Sequence, residues 1–334
     1  MNVRPHAGAL VSTCLLLALA GALDVPAAFA APPGSPSIPP LGATGSAGYG
    51  LGQRLVPTQN INSVAQKITA SGDHADIYYP DLPIHGASVH RLPPVILLQG
   101  AQVDKQYYSQ FAQELARYGF VVIVPNHVSR LFGSGLFAEM NVITDTLAHV
   151  KAETMDPDSP LYDIVDTTRA ALSGHSFGSA AALFALASYC TFPFCDTQEG
   201  FQLPSEIKAA ALIAGNSGAI DLDTQGLATA LLIGDLDTGL EESAAAYETL
   251  EAPRAFIVVH GANHYGLNDV AQPPEAQVRA GEASQTLPQS ITASRFAHWA
   301  GLFLRAQLYR DKRAARRIYE SGGDDDVTVT ATAR

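Results

Sequence analysis

The chain has 334 residues, of which 47% are apolar and 16% charged, the balance of a chain that folds around a core. Its formal net charge of −12 makes it a poor partner for nucleic acid or anionic lipid. Both classes of partner are therefore set aside.

The first thirty residues, MNVRPHAGALVSTCLLLALAGALDVPAAFA, read as a signal peptide covering 1–30. Arg4 gives a basic start, Leu10 to Leu23 is an apolar run too short for a comfortable membrane span, and Ala28-Phe29-Ala30 has the small-residue cleavage pattern. The expectation is export to the periplasm or the extracellular space, with no stable membrane span. Export gives meaning to the two cysteines that remain, Cys190 and Cys195. In an oxidising compartment they are expected to form a disulfide. So short a loop gains only about 2 kcal/mol, enough to pin a loop and not to hold up a fold. Two cysteines cannot fill a tetrahedral metal shell, and no metal site is expected.

Residues 31–52, rich in Pro, Gly and Ser and without charge, read as a flexible leader. Residues 53–320 read as one domain without internal repeats, and SGGDDDVTVTATAR (321–334) as a disordered acidic tail. Within the body, HADIYYP (74–80) alternates and reads as an outer strand. PPVILLQG (93–100), GFVVIVPNH (119–127), RAALSG (169–174), KAAALIAGN (208–216), ATALLIGD (228–235) and RAFIVVHG (254–261) are apolar on successive residues, as strands buried on both faces are. DKQYYSQFAQELARYG (104–119) reads as a helix with Asp104 as N-cap and Gly119 as its stop. The stretch from Ser290 to Tyr319 carries a helical stripe of Phe296, Ala300, Phe303, Leu304 and Leu308. Alternating strands and helices predict an α/β fold, a mostly parallel central sheet with helices on both faces.

In such a sheet the chemistry collects at the carboxyl ends of the strands. Gly174-His175-Ser176-Phe177-Gly178 stands there, between a strand and a run of small residues. It matches G-x-S-x-G, in which glycines let backbone and helix approach a serine held on a strained turn. A hydroxyl needs a base, and the base an orienting acid, in the order Ser, Asp or Glu, His. LLIGDLDTG offers Asp235 and Asp237, and FIVVHGANHYG offers His260 and His264. Asp237 and His264 are preferred because Asp235 abuts its strand end and His260 still belongs to one. Donors for an oxyanion are expected from the N–H of Phe177 and from the loop Gly100-Ala101-Gln102, with Ala101 chosen. His127, His149, His175 and His298 show no partner pattern and read as structural. Phe132, Leu136, Phe137, Phe192 and Phe194 lie in loops able to form an apolar mouth, or equally an interaction patch.

LLQGAQVDKQYYSQFAQELARYGFVVIVPNH, ALSGHSFGSAAALFALA and GANHYGLND together resemble the serine esterases of the α/β-hydrolase fold, over about residues 74–310. The resemblance is to the branch holding chlorophyllases, platelet-activating-factor acetylhydrolases and cutinase-like polyester hydrolases. It implies Ser176 as nucleophile, Asp237 as acid and His264 as base. One departure stands out: many relatives carry His-Gly at the oxyanion loop, where this chain has Gln99-Gly100. The expected function is a secreted carboxylic-ester hydrolase acting on a small-molecule or lipid-like ester without a cofactor. A non-catalytic binding protein on the same scaffold and a triad hydrolase acting on amides are the alternatives. The reading leaves acyl preference and oligomeric state open.

Overall fold

A computed structural model describes residues 60–81, 91–131, 134–218 and 220–334. The expected signal peptide, the leader and Phe132 lie outside the described residues.

Ten strands form one sheet: β1 (Ile61–Lys67), β2 (His74–Pro80), β3 (Pro94–Leu98), β4 (Val121–Asn126), β5 (Ala170–His175), β6 (Ile207–Ile213), β7 (Ala228–Gly234), β8 (Arg254–Val259), β9 (Gly323–Asp324) and β10 (Val327–Thr332). Their spatial order is β1-β2-β4-β3-β5-β6-β7-β8-β10-β9. The six strands from β4 to β8 run parallel, and β1, β2, β10 and β9 are joined antiparallel at the two edges. The sheet is thus mixed, with a parallel centre where the unbroken apolar runs lie.

The strands from β4 to β7 are apolar on both faces because each face is covered, whereas in β8 Ala255, Ile257 and Val259 are buried and Phe256 and Val258 on the other face are only part-buried. Val95, Leu97, Ala209, Ala211 and Ile213 point into one core; Ile96, Leu98, Ala210 and Leu212 point into the other. Helices α1 (Ser109–Ala116), α5 (Gln289–Leu308) and α6 (Lys312–Tyr319) cover the first face. Helices α2 (Asn141–Glu153), α3 (Phe177–Leu186) and α4 (Leu240–Thr249) cover the second. Size is shared across the first core: alanines on β6 leave room for Phe296, Trp299 and Phe303 of α5, all but fully buried. No helix among the described residues is long and apolar enough to cross a membrane.

Four local expectations are corrected. HADIYYP is not the outermost strand, because INSVAQK adds β1 beyond it. β1 is half-exposed and mostly polar, so it lacked the apolar signature of a strand. Asp104 caps a 3-10 turn, Lys105–Tyr108, by accepting from the Gln106 N–H, and α1 begins after it. The stretch from Ser290 to Tyr319 is two helices, with the stripe wholly on α5 and the break where Arg310 takes φ 52° and Asp311 caps α6 through the N–H groups of Arg313 and Ala314. The expected disordered tail is instead β9 and β10, with β10 paired to β8 along six residues. In VTVTAT the valines Val327 and Val329 face the core while Thr328 and Thr330 do not, the two-residue period of a half-buried strand. A boundary at residue 320 therefore cuts through the sheet.

Candidate active site

The chain leaves β5 at His175 and enters α3 at Phe177, so Ser176 makes the whole turn alone. It does so at φ 51° and ψ −115°, a conformation that L-residues adopt at a cost of about 1–3 kcal/mol where surrounding structure enforces it. The glycines of the motif make room. A Cβ on Gly178 would sit 2.2 Å from the Leu98 carbonyl oxygen, and one on Gly174 would sit 2.8 Å from the Ser179 nitrogen. Both obstacles are backbone, which cannot rotate away. Helix propensity alone would have Gly178→Ala gain about 1 kcal/mol. We expect it instead to destabilise by about 1–3 kcal/mol, as overpacking does, in urea titrations of purified protein. A gain would mean that the close approach of α3 to β3 is not enforced.

His264, in the loop after β8, bridges the other two members of the expected set. Its Nε2 lies 2.9 Å from Ser176 Oγ and its Nδ1 lies 2.8 Å from Asp237 Oδ2. Asp237 and His264 are buried, while Ser176 remains partly accessible. The alternatives considered for acid and base, Asp235 and His260, pair with each other at 3.1 Å. They do so away from Ser176: the Gly261 N–H donates to Asp235 Oδ1, and His260 Nε2 reaches Thr328 Oγ1 on β10. Gly234 allows the two loops to meet, since a Cβ there would lie 2.1 Å from the Ala262 carbonyl oxygen.

Burial raises the Asp237 carboxyl, but the His264 hydrogen bond and charge, the Gly239 N–H and Arg279 outweigh it and hold it below the ordinary range. The acid stays ionised. Arg279 Nη2 stands 3.4 Å from Asp237 Oδ1 and bonds Thr238 Oγ1 at 3.0 Å, with its Nε 3.2 Å from Glu282 Oε2. Glu282 also accepts the His264 backbone N–H. Burial raises the Glu282 carboxyl. Arg279 and Glu282 thus brace acid and base from the side, and sequence reasoning missed both. They come from a stretch, AQVRAGEASQ, that carries no motif.

The expected oxyanion donors lie on facing segments. Phe177 opens α3, and the tight contact of Gly178 with Leu98 and Gln99 brings that helix end onto the end of β3. Ala101 follows Gly100, whose own Cβ would come 2.7 Å from His175 Nδ1. Gln99, the departure from His-Gly, is fully buried and donates from Nε2 to the His127 carbonyl at 2.8 Å. It ties the end of β3 to the chain after β4.

Of the aromatic residues considered for a mouth, Phe137 packs edge-on to Phe177 with ring centres 5.3 Å apart, and Phe194 lies 4.9 Å from Phe177 on another side. The Phe137 loop is pinned to the loop after β3 by Gln102, whose N–H donates to the Leu136 carbonyl and whose Oε1 accepts the Leu136 N–H. Phe194 is buried and Phe192 is exposed; both sit in the loop closed by the Cys190–Cys195 disulfide.

A strained serine after a strand, a bridging histidine and an ionised acid are the parts of a serine-hydrolase centre. Residues 78–212 match the model of the chlorophyllase family. That family comprises α/β-hydrolase-like serine esterases, in agreement with the resemblance read from the sequence. The chlorophyllase match points to ester hydrolysis and a small-molecule substrate. It covers β3 to β6 with Ser176 and ends before Asp237 and His264, whose assignment rests on geometry. No curated protein matches the chain.

Proposed function

We propose that the protein is an exported serine hydrolase of the α/β-hydrolase fold that cleaves carboxylic esters through an acyl-enzyme. The observation that carries the proposal is His264 standing within hydrogen-bond reach of both Ser176 Oγ and Asp237 Oδ2. Nδ1–H donates to the ionised Asp237, which leaves Nε2 bare to accept the serine proton. Ser176 Oγ attacks the ester carbonyl as His264 takes its proton, and the N–H groups of Phe177 and Ala101 receive the oxyanion. His264 then protonates the leaving alcohol as the carbon–oxygen bond breaks. Water, deprotonated by the same imidazole, attacks the acyl-enzyme; the acid departs and Ser176 regains its proton. This chemistry needs no metal and no organic cofactor. Export is supported by the basic start, apolar run and Ala28-Phe29-Ala30, and by the disulfide of the mature region. On this reading 1–30 is removed, 31–52 is a leader, and the catalytic body runs on through β10.

The test is a fluorophosphonate probe, which phosphonylates only an activated serine. Peptide mapping should place one adduct on Ser176, and His264→Ala should abolish it in protein of unchanged circular dichroism. An unlabelled folded protein, or an adduct on a different serine, would overturn the proposal.

A further inference from the structure

His175 occupies the variable position of the G-x-S-x-G turn, where the motif asks for nothing in particular. Here it is fully buried and engaged at both ring nitrogens. Nε2 lies 3.0 Å from the backbone carbonyl oxygen of His264, and Nδ1 lies 3.0 Å from Tyr108 Oη. Tyr108, also fully buried, receives the Gly100 N–H on the same phenol oxygen at 2.8 Å.

A carbonyl oxygen only accepts, so His175 Nε2 carries the hydrogen. Burial first, and then the charge of His264, hold the His175 ring well below the usual imidazole range, so it is neutral and Nδ1 is bare. Burial likewise raises Tyr108, which keeps its proton and can donate it to Nδ1, while the Asn268 side chain also bonds the phenol. The sequence runs from the Gly100 N–H to the Tyr108 hydroxyl, through the His175 ring, to the His264 carbonyl. It therefore joins the loop after β3, which holds Ala101, to the loop after β8, which holds the base, through the residue that precedes Ser176. The two imidazoles stand 5.0 Å apart, with Tyr265 edge-on to both. Beyond Tyr108, Tyr265 and His264, the charged groups acting on the His175 ring are Asp237 and Arg279.

We propose that Tyr108 and His175 are positioning residues that lock the oxyanion loop and the base loop to one another, so that donor and base meet Ser176 in a single geometry. Neither touches the substrate. A neutral His175 also spares His264 a second cation beside it when its own ring is protonated during the reaction. The inference rests on Ser176 acting as the nucleophile.

The experiment is steady-state hydrolysis of a chromogenic short-chain ester by wild type, Ser176→Ala, Tyr108→Phe, His175→Leu, His175→Gln and the Tyr108→Phe/His175→Leu double variant, with thermal unfolding of each. Tyr108→Phe and His175→Leu should each lower kcat by about 10–100-fold, the scale of a small misplacement of reacting groups, with KM little changed. The double variant should be no worse than the worse single, because both break one chain. His175→Gln, whose amide can still offer an N–H to the His264 carbonyl, should recover several-fold over His175→Leu. Should His175→Leu fail to fold, Tyr108→Phe, which removes one oxygen atom, decides through its kcat and KM. Unchanged kcat in Tyr108→Phe, a rise in KM alone, or multiplying losses in the double variant would overturn the inference while Ser176-dependent turnover stood. Wild type no faster than Ser176→Ala would remove the underlying reading, and the inference with it.

Discussion

Ser176→Ala and His264→Ala should each lower kcat for a chromogenic ester by about 10⁶-fold, and the double variant should be hardly slower than either. The reason lies in the arrangement: without the base the hydroxyl keeps its proton, and without the hydroxyl the base has nothing to activate. Asp237→Asn should cost less, about 10⁴-fold, because the ring can still reach Ser176 but is held in the wrong tautomer. The neighbouring pair supplies the control. Asp235→Asn and His260→Ala break a hydrogen bond of 3.1 Å on the far side of the loop, with His260 directed to Thr328, and should leave kcat within a few-fold. The comparison is decisive because the two aspartates are two residues apart and the two histidines four. If the Asp235 variant lost as much as the Asp237 variant, the assignment of acid and base would be wrong.

The second large effect concerns stability. His127, at the carboxyl end of β4, is buried between two carboxylates: Nδ1 is 2.9 Å from Asp73 Oδ2 and Nε2 faces Glu139 Oε2 at 3.3 Å. Glu139 also accepts from Ser129 Oγ and from the N–H groups of Arg130 and Leu131, so it pins the chain after β4. Burial works against all three charges, but mutual hydrogen bonds and attraction prevail. His127 is raised to about 9, Glu139 is lowered to about 2, and Asp73 is lowered as well. Removing one member of a buried ion cluster strands the others, at about 3–5 kcal/mol. His127→Leu should therefore lower the melting temperature by on the order of 10 °C. Removing all three charges together, with Asp73→Asn and Glu139→Gln added, should restore part of the loss.

The pH dependence follows with its sign. The folded His127 binds its proton more tightly than the ordinary value of 6.5, so its contribution is complete below about 6.5 and is lost as pH rises through about 9. The folded Glu139 releases its proton more readily than the ordinary 4.5, so its contribution is complete above about 4.5 and is lost as pH falls through about 2. Wild-type stability relative to the triple variant should be greatest between about 4.5 and 6.5 and decline on both sides. A difference that stays flat from acid to alkaline pH, measured by denaturant titration, would contradict the ionised cluster.

What the amino-acid sequence determined by itself was everything carried by local pattern. A strand buried on both faces must be apolar at every position, so β3 to β7 could be read within a few residues of their ends; β8 was read from the same kind of apolar run, although its Phe256 and Val258 are only part-buried. A serine turned alone between strand and helix needs glycine on each side, so Ser176 could be read from Gly174 and Gly178. Chain order then narrowed acid and base to two pairs of neighbours. Tertiary structure decided what depends on residues far apart in the chain. It placed β3 between β4 and β5, and it paired Asp235 with His260, which left Asp237 and His264 to meet Ser176. It recruited VTVTAT to the sheet edge against β8, where its alternation found a core to face. It also set Tyr108 against His175 across 67 positions, Asp73 against His127 across 54, and Arg279 against Asp237 across 42. Polar partners of this kind leave no periodicity behind, because a buried hydrogen bond asks only that donor and acceptor arrive together, whatever length of chain lies between them.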